Sequence, residues 1–252
     1  MPQLETNALD VANLCKAYGH PVVDHLNLEV RAGELFALLG SNGAGKTTTL
    51  RMVAGLLQPD AGQIQIFGID CSKDPIAARK ISAWVPDEPA IYDKLTPQEY
   101  LTFVAGLWSV PQDLAKARTE ELLSKLELSD IAHRRCEEFS RGMKQKVALA
   151  GALVHDPKLL LLDEPLTGLD AAMARIVKDV LDARVRAGAT IILTTHILEV
   201  AERMADRIAI MHQGRIVANG TLGELRAQAG NRDATLEDLF LRLVSTKQAL
   251  SA

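Results

Sequence analysis

Five apolar residues, Leu35–Leu39, run straight into Gly40-Ser41-Asn42-Gly43-Ala44-Gly45-Lys46-Thr47. A short apolar run that stops at a glycine reads as a buried strand, and Lys46–Leu56 has helical character. The pattern G-x-x-x-x-G-K-[ST] at a strand-to-helix junction is a phosphate loop. Its residue types follow from the ligand. Successive backbone N–H groups must turn inward around a polyanion, and glycines permit both the dihedrals and the close approach. Lys46 can reach the β and γ phosphates, and the Thr47 hydroxyl can ligate Mg²⁺. The helix that follows adds its positive N-terminal end. The expected nucleotide-binding set is Gly40, Ser41, Asn42, Gly43, Ala44, Gly45, Lys46, Thr47 and Thr48, with ATP and Mg²⁺ as the bound groups.

A second apolar run, Leu159–Leu162, ends in Asp163-Glu164. Carboxylates at the end of a buried strand lie at the carboxyl edge of a sheet, where α/β sites are built. Asp163 is expected to hold Mg²⁺ through water, and Glu164 to polarise the attacking water. A third run, Thr190–Thr195, delivers His196 within reach of the γ-phosphate. Lys46, Glu164 and His196 form the candidate catalytic set. Alone, an acidic turn or a single histidine is ordinary structure; the phosphate loop is what gives them chemical meaning.

Leu9–Leu14, Leu26–Val30 and Gly62–Gly68 read as further strands, and the texture turns helical from about Pro86 to Asp156. Thr96-Pro97-Gln98-Glu99 is a helix start, with a cap, a first-turn proline and a capping-box glutamate. Tyr100, Val104, Leu107 and Trp108 are expected to share one face of that helix. A second helix is expected near Leu114–Leu126, with Glu121 and Lys125 at i,i+4, and a third after Ser140. A helix at about Ala172–Ala187 stops at Gly188. Arg207–Met211 and Arg215–Ala218 read as a hairpin, followed by a helical tail from Leu222. Strands alternating with helices imply an α/β fold with a mostly parallel sheet. The helical stretch at about 86–156 implies a subdomain budding from it. With 252 residues and no internal repeat, residues 1–252 are expected to form one nucleotide domain with a short tail at about 222–252.

The net charge of −4 gives no sign of a nucleic-acid partner. No apolar run approaches the ~20 residues needed to cross a bilayer, so work at a membrane would require another chain. The opening MPQLETNALD is acidic and lacks an apolar core, so no secretory signal is expected there. Cys15, Cys71 and Cys136 are far apart and include no CxxC pair, which fits reduced thiols in a cytosolic protein.

In order and spacing, these motifs resemble those of the nucleotide-binding subunits of ABC transporters, over about Leu9–Gly220. By that resemblance Gly40–Thr47 is the Walker A motif, Leu159–Glu164 the Walker B motif, Leu169-Asp170 the D-loop and His196 the switch histidine. Tyr18 looks like the aromatic residue on which adenine stacks. The resemblance implies a P-loop NTPase core with a mostly parallel sheet, an N-terminal antiparallel β subdomain and a helical subdomain. It also implies a head-to-tail pair of such domains, expected to be a homodimer, with ATP between the phosphate loop of one and the signature of the other. A separate transmembrane permease would complete the transporter, and the chain would sit peripherally on the cytoplasmic face of the cell membrane. One alternative is a soluble ABC ATPase without a transport role, but such members usually join two cassettes or insert a long coiled coil. Another is a non-hydrolysing module, which the presence of Glu164 and His196 disfavours.

The sequence departs from the family pattern at two places. The signature, commonly L-S-G-G-Q, is here Phe139-Ser140-Arg141-Gly142-Met143. Ser140 can cap a helix and offer a hydroxyl, while Gly142 allows close phosphate approach; Arg141 brings a positive charge near an anion. The S-[RK]-G-M-K-Q form resembles the ABC-2-type, exporter-like branch. In Pro86-Asp87-Glu88-Pro89, Asp87 stands where the family usually has Gln, and an ionised Asp accepts hydrogen bonds without donating. Asp87 is either a third metal-site residue beside Thr47 and Asp163 or a solvated turn residue. Ile91, Tyr92 and Leu95 either meet the permease or belong to the core. The amphipathic stretch Leu236–Val244 either aids dimerisation or docking, or packs on the domain.

Overall fold

The structure, a computed structural model, describes residues 7–230 and 234–242. β1 (Asn7–Ala17) and β2 (Pro21–Arg31) pair antiparallel from Asn7↔Arg31 to Ala17↔Pro21. Both outrun their apolar centres, because such a strand needs apolar residues on one face only: Leu26, Leu28 and Val30 are buried while Asn27 and Glu29 face solvent. β3 (Leu35–Leu39) is buried throughout, and α1 (Lys46–Val53) follows the glycine loop. β4 (Ala61–Ile66) returns to β1, and β5 (Ile69–Asp70) completes an antiparallel sheet of order β2-β1-β4-β5. α2 (Pro75–Lys80), capped by Asp74, leads into β6 (Ser82–Val85). Neither α2 nor β6 is foreseen from the sequence.

The helical region contains α3 (Pro97–Leu107), α4 (Gln112–Lys125) and α5 (Arg141–Leu153). The capping box forms: Glu99 N–H donates to Thr96 Oγ1 (3.2 Å) and Thr96 N–H to Glu99 Oε2 (2.9 Å). The buried face of α3 meets expectation at Tyr100 and at Val104, which packs against the core, and departs from it at Leu107 and Trp108. It carries Pro97, Tyr100, Leu101 and Ala105, whereas Leu107 is 66% exposed. Trp108 lies past the last turn and stacks on His155 at 4.4 Å, so the buried stripe follows the i,i+4 row 97-101-105. Ile91 and Leu95 pack against the core, while Tyr92 is exposed and meets Phe103 edge-on.

β7 (Leu159–Asp163), α6 (Ala171–Arg186), β8 (Thr190–Thr195) and α7 (Leu198–Met204) follow. β9 (Arg207–His212) and β10 (Arg215–Gly220) form the expected hairpin. Its two turn residues, Gln213 and Gly214, both have positive φ, which matches the twist of the strands they join. α8 (Leu222–Gln228) begins the tail, and residues 236–242 are helical with Leu236 and Leu239 fully buried. That favours packing on the domain for this stretch. The tail's residues 231–233 and 243–252, with Val244 among them, lie outside the described residues.

The second sheet has order β10-β9-β3-β8-β7-β6, parallel from β9 to β6 with β10 as an antiparallel edge. Both faces are covered. Leu35, Ala37, Leu39, Leu160, Leu162, Ile191 and Leu193 join the core beneath α3–α6. Phe36, Leu38, Leu159, Leu161 and Ile192 join a second core with the antiparallel sheet and α1. A strand buried on both faces reads as a continuous apolar run, which is why Leu159–Leu162 shows four leucines in a row. Among the described residues, no helix is long and apolar enough to cross a membrane.

Candidate functional site

β3, β8 and β7 are parallel neighbours. Their carboxyl ends therefore open on one edge, and each delivers a candidate group there: the glycine loop, His196, and Asp163 with Glu164. The loop is seated tightly. Gly45 has φ 106°, and a Cβ on it would lie 2.5 Å from Val22 O on β2 and 2.7 Å from Met211 Cε on β9. Gly214 N–H, from the hairpin turn, donates to Ala44 O at 3.0 Å.

Lys46 is 6% exposed. Its Nζ donates to Gly40 O (2.7 Å) and Ser41 O (3.3 Å) and lies 3.8 Å from Glu164 Oε1. Burial holds its pKa below the usual lysine value, against the opposing pull of Glu164 and Asp163. Thr194, directly across from Asp163 in the β7–β8 register, donates from Oγ1 to Asp163 Oδ1 (2.6 Å) and accepts the Glu164 N–H (3.1 Å). Glu164 has φ 48°, a left-handed conformation costing about 1–2 kcal/mol away from glycine. Its Oε2 accepts from Thr167 Oγ1 (3.1 Å) and lies 3.0 Å from His196 Nδ1. Thr194 and Thr167 escape the sequence reading; strand register finds the first, and the second needs the turn after β7.

A cavity of about 560 Å³ lies at this edge. It is lined by Asn42–Thr48, by Asp163 and Glu164, and by Asp87 and Glu88, with Val22 and Arg51 also contributing. The loop's glycine-rich backbone and the start of α1 suit a polyphosphate. Thr47 and Asp163 offer the oxygen donors that suit Mg²⁺. Among the described residues no cluster of three His, Cys, Asp or Glu could hold a metal. Mg²⁺ in a nucleotide site relies instead on a few protein oxygens plus water and phosphate, and this donor set fits that pattern.

Other candidates stand elsewhere. Tyr18 is 55% exposed on the turn after β1, with Lys16 Nζ 5.7 Å from its ring centre, and it is not part of the cavity wall. Ser140 caps α5, accepting from Met143 N–H at 3.3 Å. Gly142 is buried in its own chain: a Cβ there would lie 2.7 Å from Met173 Sδ and 3.1 Å from Leu169 Cδ2. Asp170 caps α6, accepting from Met173 N–H at 2.8 Å. Asp87 is not a free turn residue, since its Oδ1 accepts from Arg141 Nη2 at 2.6 Å. The two positions at which the sequence departs from the family pattern thus touch each other.

Known proteins bear on this arrangement. The family model for the ABC transporter matches residues 23–167. The daunorubicin/doxorubicin resistance ATP-binding protein DrrA of Streptomyces peucetius is 39% identical over 90% of this chain and 69% of its own length. The ABC-type transporter ATP-binding protein EcsA of Bacillus subtilis is 35% identical over 93% of this chain and 96% of its own. A solved structure of an ATP-binding subunit of an ABC transporter superposes with a TM-score of 0.88 at 36% identity, covering 94% of this chain and 99% of that one. With the family model over more than half of the chain and relatives this similar, the chain belongs to the ATP-binding proteins of the ABC transporter family.

Proposed function

We infer that this chain hydrolyses Mg²⁺-ATP in the cavity beside Gly40–Thr47 and so powers transport, in the export direction, through a separate membrane-spanning chain. It acts as a single nucleotide domain on the cytoplasmic face of the membrane, paired with a second copy of itself. Support for export comes from the signature form and from relatives named as a drug-resistance ATP-binding protein and, in Escherichia coli, as a probable multidrug ABC transporter ATP-binding protein. The chain's own net charge of −4 gives nucleic acid no part in this reading.

The loop N–H groups and Lys46 hold the phosphates. Thr47 and, through water, Asp163 would hold Mg²⁺, which would supply positive charge to the phosphates when bound, and Asp87 lines the same cavity. Glu164 orients the attacking water and takes its proton. Thr167 and His196 fix the carboxylate for that task, and Thr194 fixes Asp163. Ser140 and Gly142 of the second copy close the site over the nucleotide, and Tyr18 supports the base. Phosphoryl transfer of this kind rests on positioning and electrostatics.

The observation that carries the reading is Glu164 itself, held at Oε2 by Thr167 and His196 with Lys46 facing its other oxygen. Glu164→Gln is expected to bind ATP, elute as an ATP-loaded dimer and lose about 10²–10⁴-fold in hydrolysis rate. Hydrolysis at the parent rate would overturn the assignment of the base.

A further inference from the structure

Asp87 presents an anomaly of charge. It lines the cavity that also contains Lys46, Thr47, Glu88, Asp163 and Glu164, so four carboxylates face a space suited to a polyanion, and Asp87 is the one with an arginine on it. Its Oδ1 accepts from Arg141 Nη2 at 2.6 Å, and the same nitrogen also reaches Asp87 O at 3.2 Å. The partners lie 54 residues apart and on different elements, the loop after β6 and the first turn of α5. The contact does not stand alone. Lys144 Nζ, one turn further along α5, donates to Asp93 Oδ1 at 2.8 Å, and Lys94 pairs with Glu137. The first turn of α5 is thereby fastened to the segment 87–93 by two pairs of opposite charge, of which Asp87 alone lines the cavity.

The pair is about half exposed, with side chains 50% and 46% accessible, so it adds little to stability. Its effect on the cavity is of another kind. A lone carboxylate in the cavity lining would repel phosphates through partly screened space, whereas a paired one presents a dipole. We propose that Arg141 is a positioning residue that neutralises Asp87 within the same chain, and that this pairing sets the affinity of the cavity for nucleotide polyphosphate. This rests on the proposed ATP site and adds to it the group that controls the charge of its lining.

A double-mutant cycle separates this from other roles. Equilibrium binding of Mg²⁺-ATPγS and Mg²⁺-ADP is measured by calorimetry for the parent, Arg141→Ala, Asp87→Asn and the double variant. Arg141→Ala is expected to weaken ATPγS binding by about three- to tenfold, less so at high salt. In the Asp87→Asn background the same change should cost under about twofold, because no charge is left to neutralise. An equal loss in both backgrounds would show Arg141 acting on the phosphates directly and would overturn the proposal, as would no loss in either. Arg141→Gln replaces Arg141→Ala if the latter does not fold, as judged by its thermal transition. A parent that binds neither nucleotide would instead defeat the proposed ATP site, so the two failures are distinguishable.

Discussion

His155 shows how one side chain ties acid sensitivity to packing. It stacks on Trp108, and its Nε2 lies 3.3 Å from Ser82 O on β6. Burial lowers its pKa from the ordinary 6.5, with Arg118 and Arg184 acting in the same direction and Asp156 and the Ser82 contact opposing. The fold therefore prefers the neutral ring, and on acidification the unfolded chain takes up the proton first. The stability tied to His155 is complete above pH 6.5 and is lost as pH falls from there toward the lowered folded value. Urea unfolding above and below pH 6.5 should show this slope in the parent and a shallower one in His155→Phe; identical slopes would remove His155 from the account. At this scale the sequence is legible where a motif dictates chemistry, as at Lys46, Glu164 and His196, which the fold brings within a few ångströms of each other. It is mute where a role depends on a distant partner. Nothing local to Asp87 or Arg141 says that they meet, and a reading of Gly142 from phosphate approach alone overlooks Met173 and Leu169, whose side-chain ends would have to shift to admit a Cβ there even without ligand.

Among the elements, the crossing of α3 and α5 leaves little room between the two helices. A Cβ on Gly151 would lie 2.6 Å from Tyr100 Cε1, and a buried aromatic ring cannot swing aside as a flexible chain end can. Gly151→Ala should cost about 1–3 kcal/mol by overpacking; Gly151→Ala with Tyr100→Leu should recover part of that, read from thermal melts. Thr96→Ala removes one half of the capping box on α3 and should cost about 1 kcal/mol. The start of α3 could be read from sequence because caps are local signals, and so could the strands that end in chemistry. The register of its buried stripe could not, because α5 decides which side of α3 is covered. β6 has only four residues, and α2 and α7 have six and seven; none is long enough for periodicity to declare itself. The Asp74-Pro75 start of α2 was nonetheless a usable signal.

For the whole molecule, the six-stranded sheet forms the wall between two cores, and the site opens along the edge where that wall ends. Nucleotide bound there grips residues rooted in both cores, so its binding energy should stabilise the fold as one unit. Mg²⁺-ATP at a hundred times its Kd should add about 2.7 kcal/mol to unfolding, with far-ultraviolet dichroism and tryptophan fluorescence shifting together. Lys46→Ala should abolish the shift. Two transitions, only one of them moving with nucleotide, would show that the cores unfold separately. The alternation of strand and helix made the wall readable in advance; the second core was not, since β1 and β2 show only half their length as apolar sequence. The hairpin tip at Gln213-Gly214 has a practical consequence. Short surface turns are the usual choice for inserting a tag or a fluorescent reporter. Here the turn buttresses the phosphate loop through the Gly214–Ala44 hydrogen bond, and its Asp24 N–H to Gly214 O bond (2.9 Å) fastens it to β2. A reporter spliced there is expected to leave a protein that expresses and folds yet has a weakened hold on nucleotide, and a screen using it would mistake a displaced buttress for a chain without a binding site.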